Sequence, residues 1–397
     1  MSASFWAPAI RDAREHARLS VAAVAHRTGA STDRLAAIER GEVEITVGEL
    51  FAIARALRLD FEALLRGDVR RMPGAALAFR SHDAGWASLS EADLGVCERA
   101  LHRARSLLEV NERLGRERSE RAVFEPRDPL PDVEQEVRDL SRLVRERLGN
   151  AEGTLPDLYT VLGSLDVVIV EHRFASADVD AVAVMEAGIG NGAAIVVAER
   201  SHAWRVPLRR RVLLAHELCH VLFDPVRDDA DAIVDFDGEL SGDPDLVGER
   251  SSRYLPQDLP RERRARAFAA EFLMPTASLR TLLGPPRHVF EYGEARRMVD
   301  KVREHFETPL EIALNQLWNR RYLAPLPDLT TEDPRRDLLE YLRARSTEVT
   351  ATPRVAGASA DMLTARAREA WVQGQAADGD VRRWLGLSPF DPLPWTA

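Results

Sequence analysis

Cysteine and lysine are nearly missing from this chain of 397 residues, which has two cysteines, Cys97 and Cys219, and one lysine, Lys301. Two cysteines exclude a disulfide framework and point to a reducing compartment, the cytoplasm. Arginine takes the place of lysine, which reads as the coding bias of a GC-rich genome rather than a physical adaptation. No run approaches the 18 apolar residues that a membrane helix needs, and no basic patch followed by a long apolar stretch opens the chain. Membrane insertion and secretion are therefore not expected. Positive charge is not in excess either: 54 Lys and Arg against 64 Asp and Glu leave a net charge of −10. Nucleic-acid binding would have to rest on a local domain rather than on the whole surface. The 45% apolar and 30% charged content is ordinary for a globular protein, and the length allows two or three domains.

What is present begins with His216, Glu217, Leu218, Cys219 and His220, an H-E-x-x-H pattern. Val212 to Ala215 precede it and Val221 to Phe223 follow, so the segment reads as a helix apolar nearly all round, and buried. At i and i+4 the two imidazoles share one helix face, about 40° apart, and can reach one ion. Glu217 projects from the adjoining side, where a carboxylate can take a proton from water. Zinc suits two imidazoles and a carboxylate with one position left open. Cys219 lies on the far side of His216 from Glu217 and reads as a packing residue.

A third ligand is needed downstream. The metzincin pattern would place Gly and His three and six residues after His220; Phe223 and Val226 stand there, which excludes it. The remaining option is a carboxylate on a second helix. Pro260 to Met274 supplies one, opened by Pro260, closed by Pro275 and striped with Ala265, Phe268, Ala269, Phe272 and Leu273. Glu262 stands at the start of that inward face, where a carboxylate is costly unless a cation meets it. Glu262 is the expected third ligand. Glu271 is the runner-up, more simply read as a half-exposed carboxylate bonded to an arginine.

The run Arg209-Arg210-Arg211-Val212-Leu213-Leu214-Ala215 before His216 resembles the lead-in of the ImmA/IrrE-like metallopeptidases. So does Glu262-Arg263-Arg264-Ala265 followed by Phe268 to Pro275. The resemblance covers roughly residues 135 to 325. It implies a gluzincin-like site with His216, His220 and Glu262 on zinc and Glu217 as base, and a substrate that is itself a regulator. One departure stands out: four residues after the ligand Glu the family usually carries Asn or Asp, a partner for a ligand, and here it is Arg266.

Residues 9 to 66 read as five short helices: Arg11 to Ala17, one starting near Ser20, one capped by Ser31, one capped by Thr46, and Phe61 to Leu65. Helix, Gly29 turn and helix at this spacing make a helix-turn-helix, and the unit resembles the Xre/Cro-type repressors. Ser31, Thr32 and Arg34 would face DNA, with Arg34 able to read a guanine edge. Residues 1 to 70 balance 10 Arg against 10 Asp and Glu. A dimerisation or protein-docking role therefore competes with DNA binding.

Two amphipathic helices are expected between Ser88 and Gly149, joined by the proline-rich Phe124 to Pro131. Strands are expected at Val167 to Val170, Ala181 to Val184 and Ala193 to Val197. Gly188 to Gly192 would turn a hairpin, and an edge strand could hold substrate backbone. Asp224 to Glu249 reads as an acidic surface insertion, with a gating loop or an arginine-binding contact as alternatives. Arg209, Arg211 and His202 are candidate oxyanion donors. The C-terminal segment shows packing helices and no chemistry.

The expected fold class is α+β, mainly α. Its parts are a helix-turn-helix domain (1–70), a helical and extended connector (71–134), a gluzincin-like domain with a small sheet and two metal-bearing helices (135–325), and a C-terminal extension (326–397). The expected function is a bacterial zinc endopeptidase that cuts or controls a transcriptional regulator in a stress, mobile-element or defence response. The alternative is a repressor or antitoxin-like regulator that keeps the fold for sensing or partner binding. Expected partners are the protein substrate, DNA through residues 20–40, and a second copy of the chain.

Overall fold

In a computed structural model, the structure describes residues 6–16, 19–57, 64, 77–79, 89–116, 124–186, 191–226, 230–236, 259–287, 289, 291–324, 334–345, 362–387 and 391–395. Four short helices come first: α1 (Ala7–His16), α2 (Val21–Thr28), α3 (Thr32–Glu39) and α4 (Val47–Ala56). Each start has a local cause. The Ser20 hydroxyl accepts from the Ala23 amide and Ser31 from the Arg34 amide, while Thr46 Oγ1 accepts from the Glu49 amide. Gly29, at φ 71°, ends α2 in a left-handed turn that a side chain would strain. Ile10, Val24, Leu35, Ile38, Leu50 and Ile53 make the core, and Arg14 ties α1 to α3 through Glu39 at 2.6 Å. Of the fifth expected helix only Leu64 is described, helical and buried; the rest lies outside the described residues.

A five-stranded sheet organises the remainder. It comprises β1 (Leu77–Phe79), β2 (Val167–His172), β3 (Val179–Glu186), β4 (Ala193–Ala198) and β5 (Ala230–Phe236), in the order β1-β5-β3-β4-β2. β3 runs antiparallel to both β4 and β5, whereas β2 is parallel to β4 and β1 to β5. The antiparallel β3–β4 pair is what the expected hairpin requires, and the Glu186 amide donates to the Gly192 carbonyl at 2.9 Å. Residues 187–190 of that turn lie outside the described residues.

Every residue of β4, and all of β3 but its last, is buried, because helices cover both faces. One face carries Ile169, Ala181, Ala183 and Ile195 into a core shared with the helices of the candidate site. The other carries Val168, Val182, Val184 and Val196 against α5 (Glu91–Arg113). Leu94, Cys97, Leu101, Ala104 and Val110 of α5 are buried at helical spacing. The segment read from sequence as a connector thus supplies a packing layer of the sheet. Asp93 closes a capping box with Ser90 and also holds His172 at the end of β2, at 2.7 Å.

The remaining helices are α6 (Val133–Arg147), α7 (Leu158–Ser164), α8 (His202–Arg205), α9 (Pro207–Phe223), α10 (Leu259–Leu273), α11 (Thr276–Leu283), α12 (Tyr292–Phe306), α13 (Leu310–Asn319), α14 (Pro334–Arg343), α15 (Met362–Val372) and α16 (Asp378–Leu385). The last two pack on α5, stitched to it by Arg383–Glu109 at 2.7 Å and Arg116–Glu369 at 2.8 Å.

The acidic stretch after α9 corrects the sequence reading. Residues 230–236 are not a surface insertion but β5, whose Ile233 enters the core of the metal-type helices. The edge of β3 facing away from β4 is therefore taken by the chain itself. Residues 227–229 and 237–249 of that stretch lie outside the described residues.

Candidate metal centre

Two helices build the centre. α9 opens on Pro207 at its first turn, where a missing N–H costs nothing, and runs buried from Arg211 through Phe223. α10 packs directly across it and also against α6. Aromatic contacts fix that crossing: Phe268 meets Phe223 edge-on at 5.6 Å and stacks on Phe272 at 5.2 Å, while Phe124 meets Phe223 at 5.8 Å.

His216 and His220 lie one turn apart on α9, and Glu262 sits in the first turn of α10. The three are 1%, 0% and 2% exposed, and their ligand-type atoms lie within 4.8 Å of one another. The two Nε2 atoms are 3.0 Å apart. His216 Nε2 is 3.4 Å from Glu262 Oε2, and His220 Nε2 is 3.5 Å from Glu262 Oε1. Donors bound to zinc at its usual N and O distances, at tetrahedral corners, would stand about 3.3 Å apart. Glu262 Oε2 is buried and has no hydrogen-bond partner among the described residues. A buried carboxylate oxygen in that state is costly unless a cation meets it. The donor set, two imidazoles and a carboxylate converging in a dry interior, therefore fits zinc.

Glu217 follows His216 on the same helix, about 100° round its axis, and is fully buried. Cys219 is also buried, and burial pushes its thiol well up from the ordinary range. A neutral thiol is a poor ligand, and Cys219 is not part of the converging group.

The other candidates are engaged elsewhere. Glu271, the runner-up ligand, is bonded to an arginine as expected but is buried rather than half-exposed. Its carboxylate accepts from the Thr276 amide and hydroxyl, Gln316 Nε2 and Arg320 Nη2 at 2.8 to 3.1 Å. Arg209 pairs with Glu311 at 3.4 Å. Arg211 donates to the Leu155 and Pro156 carbonyls and faces Glu307 at 3.6 Å. His202 is exposed, away from the buried cluster.

Two residues at the centre were missed from the sequence. Asp224 ends α9, is 1% exposed, and sets its Oδ2 3.1 Å from His220 Nδ1. Arg264 on α10 donates to Asp224 Oδ1 at 2.5 Å and to the Phe223 carbonyl at 3.1 Å. Burial pushes the Asp224 carboxyl up, but the neighbouring His220 and the Arg264 and Arg261 charges outweigh it and hold it at about 2. The carboxylate beside the His220 imidazole is thus Asp224, in a protein whose position 266 carries arginine. Its spacing, four residues after His220 on one helix face, was the available signal.

In the N-terminal helices, the Ser31 hydroxyl is engaged as the α3 cap and Thr32 is exposed. Arg34 forks onto both oxygens of Glu49 at 2.9 and 3.1 Å and donates to the Glu44 carbonyl at 2.6 Å. The guanidinium proposed to read a base is turned onto its own domain.

No helix among the described residues is long and apolar enough to cross a membrane. Comparison with protein families matches residues 10–64 to the helix-turn-helix model and residues 163–317 to a peptidase-family model, the IrrE N-terminal-like domain. No curated protein matches the chain. The match of 163–317 takes in both histidines and Glu262, so the chain carries a helix-turn-helix domain followed by a domain similar to the IrrE N-terminal-like peptidase family.

Proposed function

We propose that this chain is a zinc endopeptidase acting on a transcriptional regulator. The observation that carries the reading is the convergence of His216, His220 and Glu262 from two helices, with the buried carboxylate of Glu217 beside them on α9. His216 and His220 would hold the ion through Nε2 and Glu262 through its carboxylate. Zinc, when bound, supplies a Lewis acid that polarises a peptide carbonyl and acidifies water towards neutral pH. Glu217 accepts the proton of the attacking water on its carboxylate and delivers it to the leaving amine as the peptide C–N bond breaks. The N-terminal domain serves transcription control, with DNA as its partner through α3. Arg34 must leave Glu49 before it can reach a base.

The test is Glu217→Gln, which keeps size and leaves the three ligands untouched. Purified zinc-loaded wild type and variant are each incubated with a regulator from the same genetic neighbourhood, and products are followed by mass spectrometry. Cleavage by wild type, slowed about 10²- to 10⁴-fold in the variant with zinc retained, is expected. Equal cleavage by the two proteins, or stoichiometric zinc in neither, would sink the proposal.

A further inference from the structure

Arg264 reaches more parts of the centre than any ligand does. It is fully buried, two residues beyond Glu262 on α10, and its guanidinium bonds to the end of α9 through the Phe223 carbonyl and Asp224 Oδ1. Its other edge donates to the Arg127 carbonyl at 2.8 Å and to Glu136 Oε1 of α6 at 3.3 Å. Those partners are fixed in turn. The Arg127 amide donates back to the Phe223 carbonyl at 2.9 Å, and Glu136 Oε2 accepts from the Leu130 amide at 2.9 Å. The remaining oxygen of Asp224 faces His220 Nδ1.

We propose that Arg264 and Asp224 form a positioning clasp, in which one guanidinium fixes the helix bearing Glu262 against the helix bearing both histidines and, through Asp224, orients His220. The inference rests on the metallopeptidase reading above and adds a means of presetting its ligands. An ionised carboxylate only accepts hydrogen bonds, so Asp224 requires the proton of His220 on Nδ1 and leaves Nε2 as the bare donor facing Glu262. The guanidinium is planar, with its N–H groups in a fixed fork, so it holds Asp224 and the Phe223 carbonyl in one plane, which a lysine cannot do. The clasp supplies a carboxylate to the candidate ligand set from the end of α9. Neither residue touches the reacting atoms; both act through His220 and Glu262.

A buried ion pair that only stabilised the fold would lower the melting temperature and leave ligand chemistry alone. The experiment separates the two roles by reading zinc affinity, by competition with a chromophoric chelator, beside the His220 Nδ1–H proton resonance of metal-free protein. The variants are Asp224→Ala, Asp224→Asn, Arg264→Met and Arg264→Lys, with thermal melts of the metal-free forms as controls. Asp224→Ala and Arg264→Met are expected to weaken zinc binding about 10- to 100-fold. Arg264→Lys keeps the charge and loses the fork, and should weaken zinc too. Asp224→Asn offers one acceptor where two are used, so an intermediate loss is expected. The downfield Nδ1–H signal should be present in wild type and vanish in Asp224→Ala. Should the alanine and methionine variants not fold, the Asn and Lys variants decide alone. Wild-type zinc affinity in the folded variants, or an Nδ1–H signal indifferent to residue 224, overturns the clasp. If wild type binds no zinc, the peptidase reading fails by itself, and the resonance still decides for or against the clasp.

Discussion

The N-terminal helices and the metal centre handle their charged side chains in opposite ways. Arg34 and Glu49 form a local fork with side chains 35% and 29% exposed, within reach of solvent. Arg264, Asp224, Glu136 and Glu262 are buried to within a few per cent and join α6, α9 and α10, elements far apart in the chain. An exposed pair contributes about 0–1 kcal/mol, so water can replace either partner and a phosphate can take the place of Glu49 on Arg34. A buried network has no such substitute, and removing one partner leaves a charge stranded, at about 3–5 kcal/mol. The first region can therefore open to a ligand, whereas the second is held in one arrangement by its own buried partners.

That contrast can be broken from either side. The largest effect belongs to His216→Ala, which removes one of three donors and should abolish stoichiometric zinc, read by elemental analysis of purified protein beside wild type. Stripping zinc from wild type with a chelator should lower its melting temperature and leave the variant's unchanged, since only a ligand of the folded state stabilises it. In the N-terminal domain the next largest effect is a gain. Glu49→Gln releases Arg34, and a freed guanidinium on a guanine is worth about 1–3 kcal/mol, read as tighter DNA binding at fixed salt. DNA binding indifferent to both Glu49→Gln and Arg34→Ala would remove Arg34 from the interface. Ser31→Ala, by losing the α3 cap, should cost about 1 kcal/mol in chemical denaturation.

The smallest effect is a titration. The Arg34 hydrogen bond holds the Glu49 carboxyl at about 2, well below its ordinary 4.5. A depressed folded-state value adds stability that is fully present above about 4.5 and fades as pH falls towards 2. Arg34→Ala should move the Glu49 carboxyl resonance midpoint up towards its ordinary value, and leave the metal centre unaffected.

How much of this was legible in the sequence follows from the same contrast. His216, His220 and Glu262 could be read because helical spacing and burial constrain which polar groups an apolar segment tolerates. Arg264 could not, since its partners lie 40 and 128 positions away and only the folded chain brings them together. The Arg34 fork spans 15 positions across two helices and left no periodic trace. β3 and β4 were seen but cut short, because burial on both faces erases the alternation that marks strand ends. β5 was missed because Asp231 and Asp235 gave a seven-residue strand the composition of a surface loop.

The two-sided covering of the sheet limits how this protein can be cut. A fragment trimmed to the matched span 163–317 discards α5 from one side and α6 from the other. Val168, Val182, Val184 and Val196 would then meet water, each at about 1.5–3 kcal/mol, and Arg264 would lose its anchor on Glu136. Residues numbered from the nineties to the helices ending at Leu385 have to travel together for the sheet and the candidate metal centre to be isolated with their cores covered.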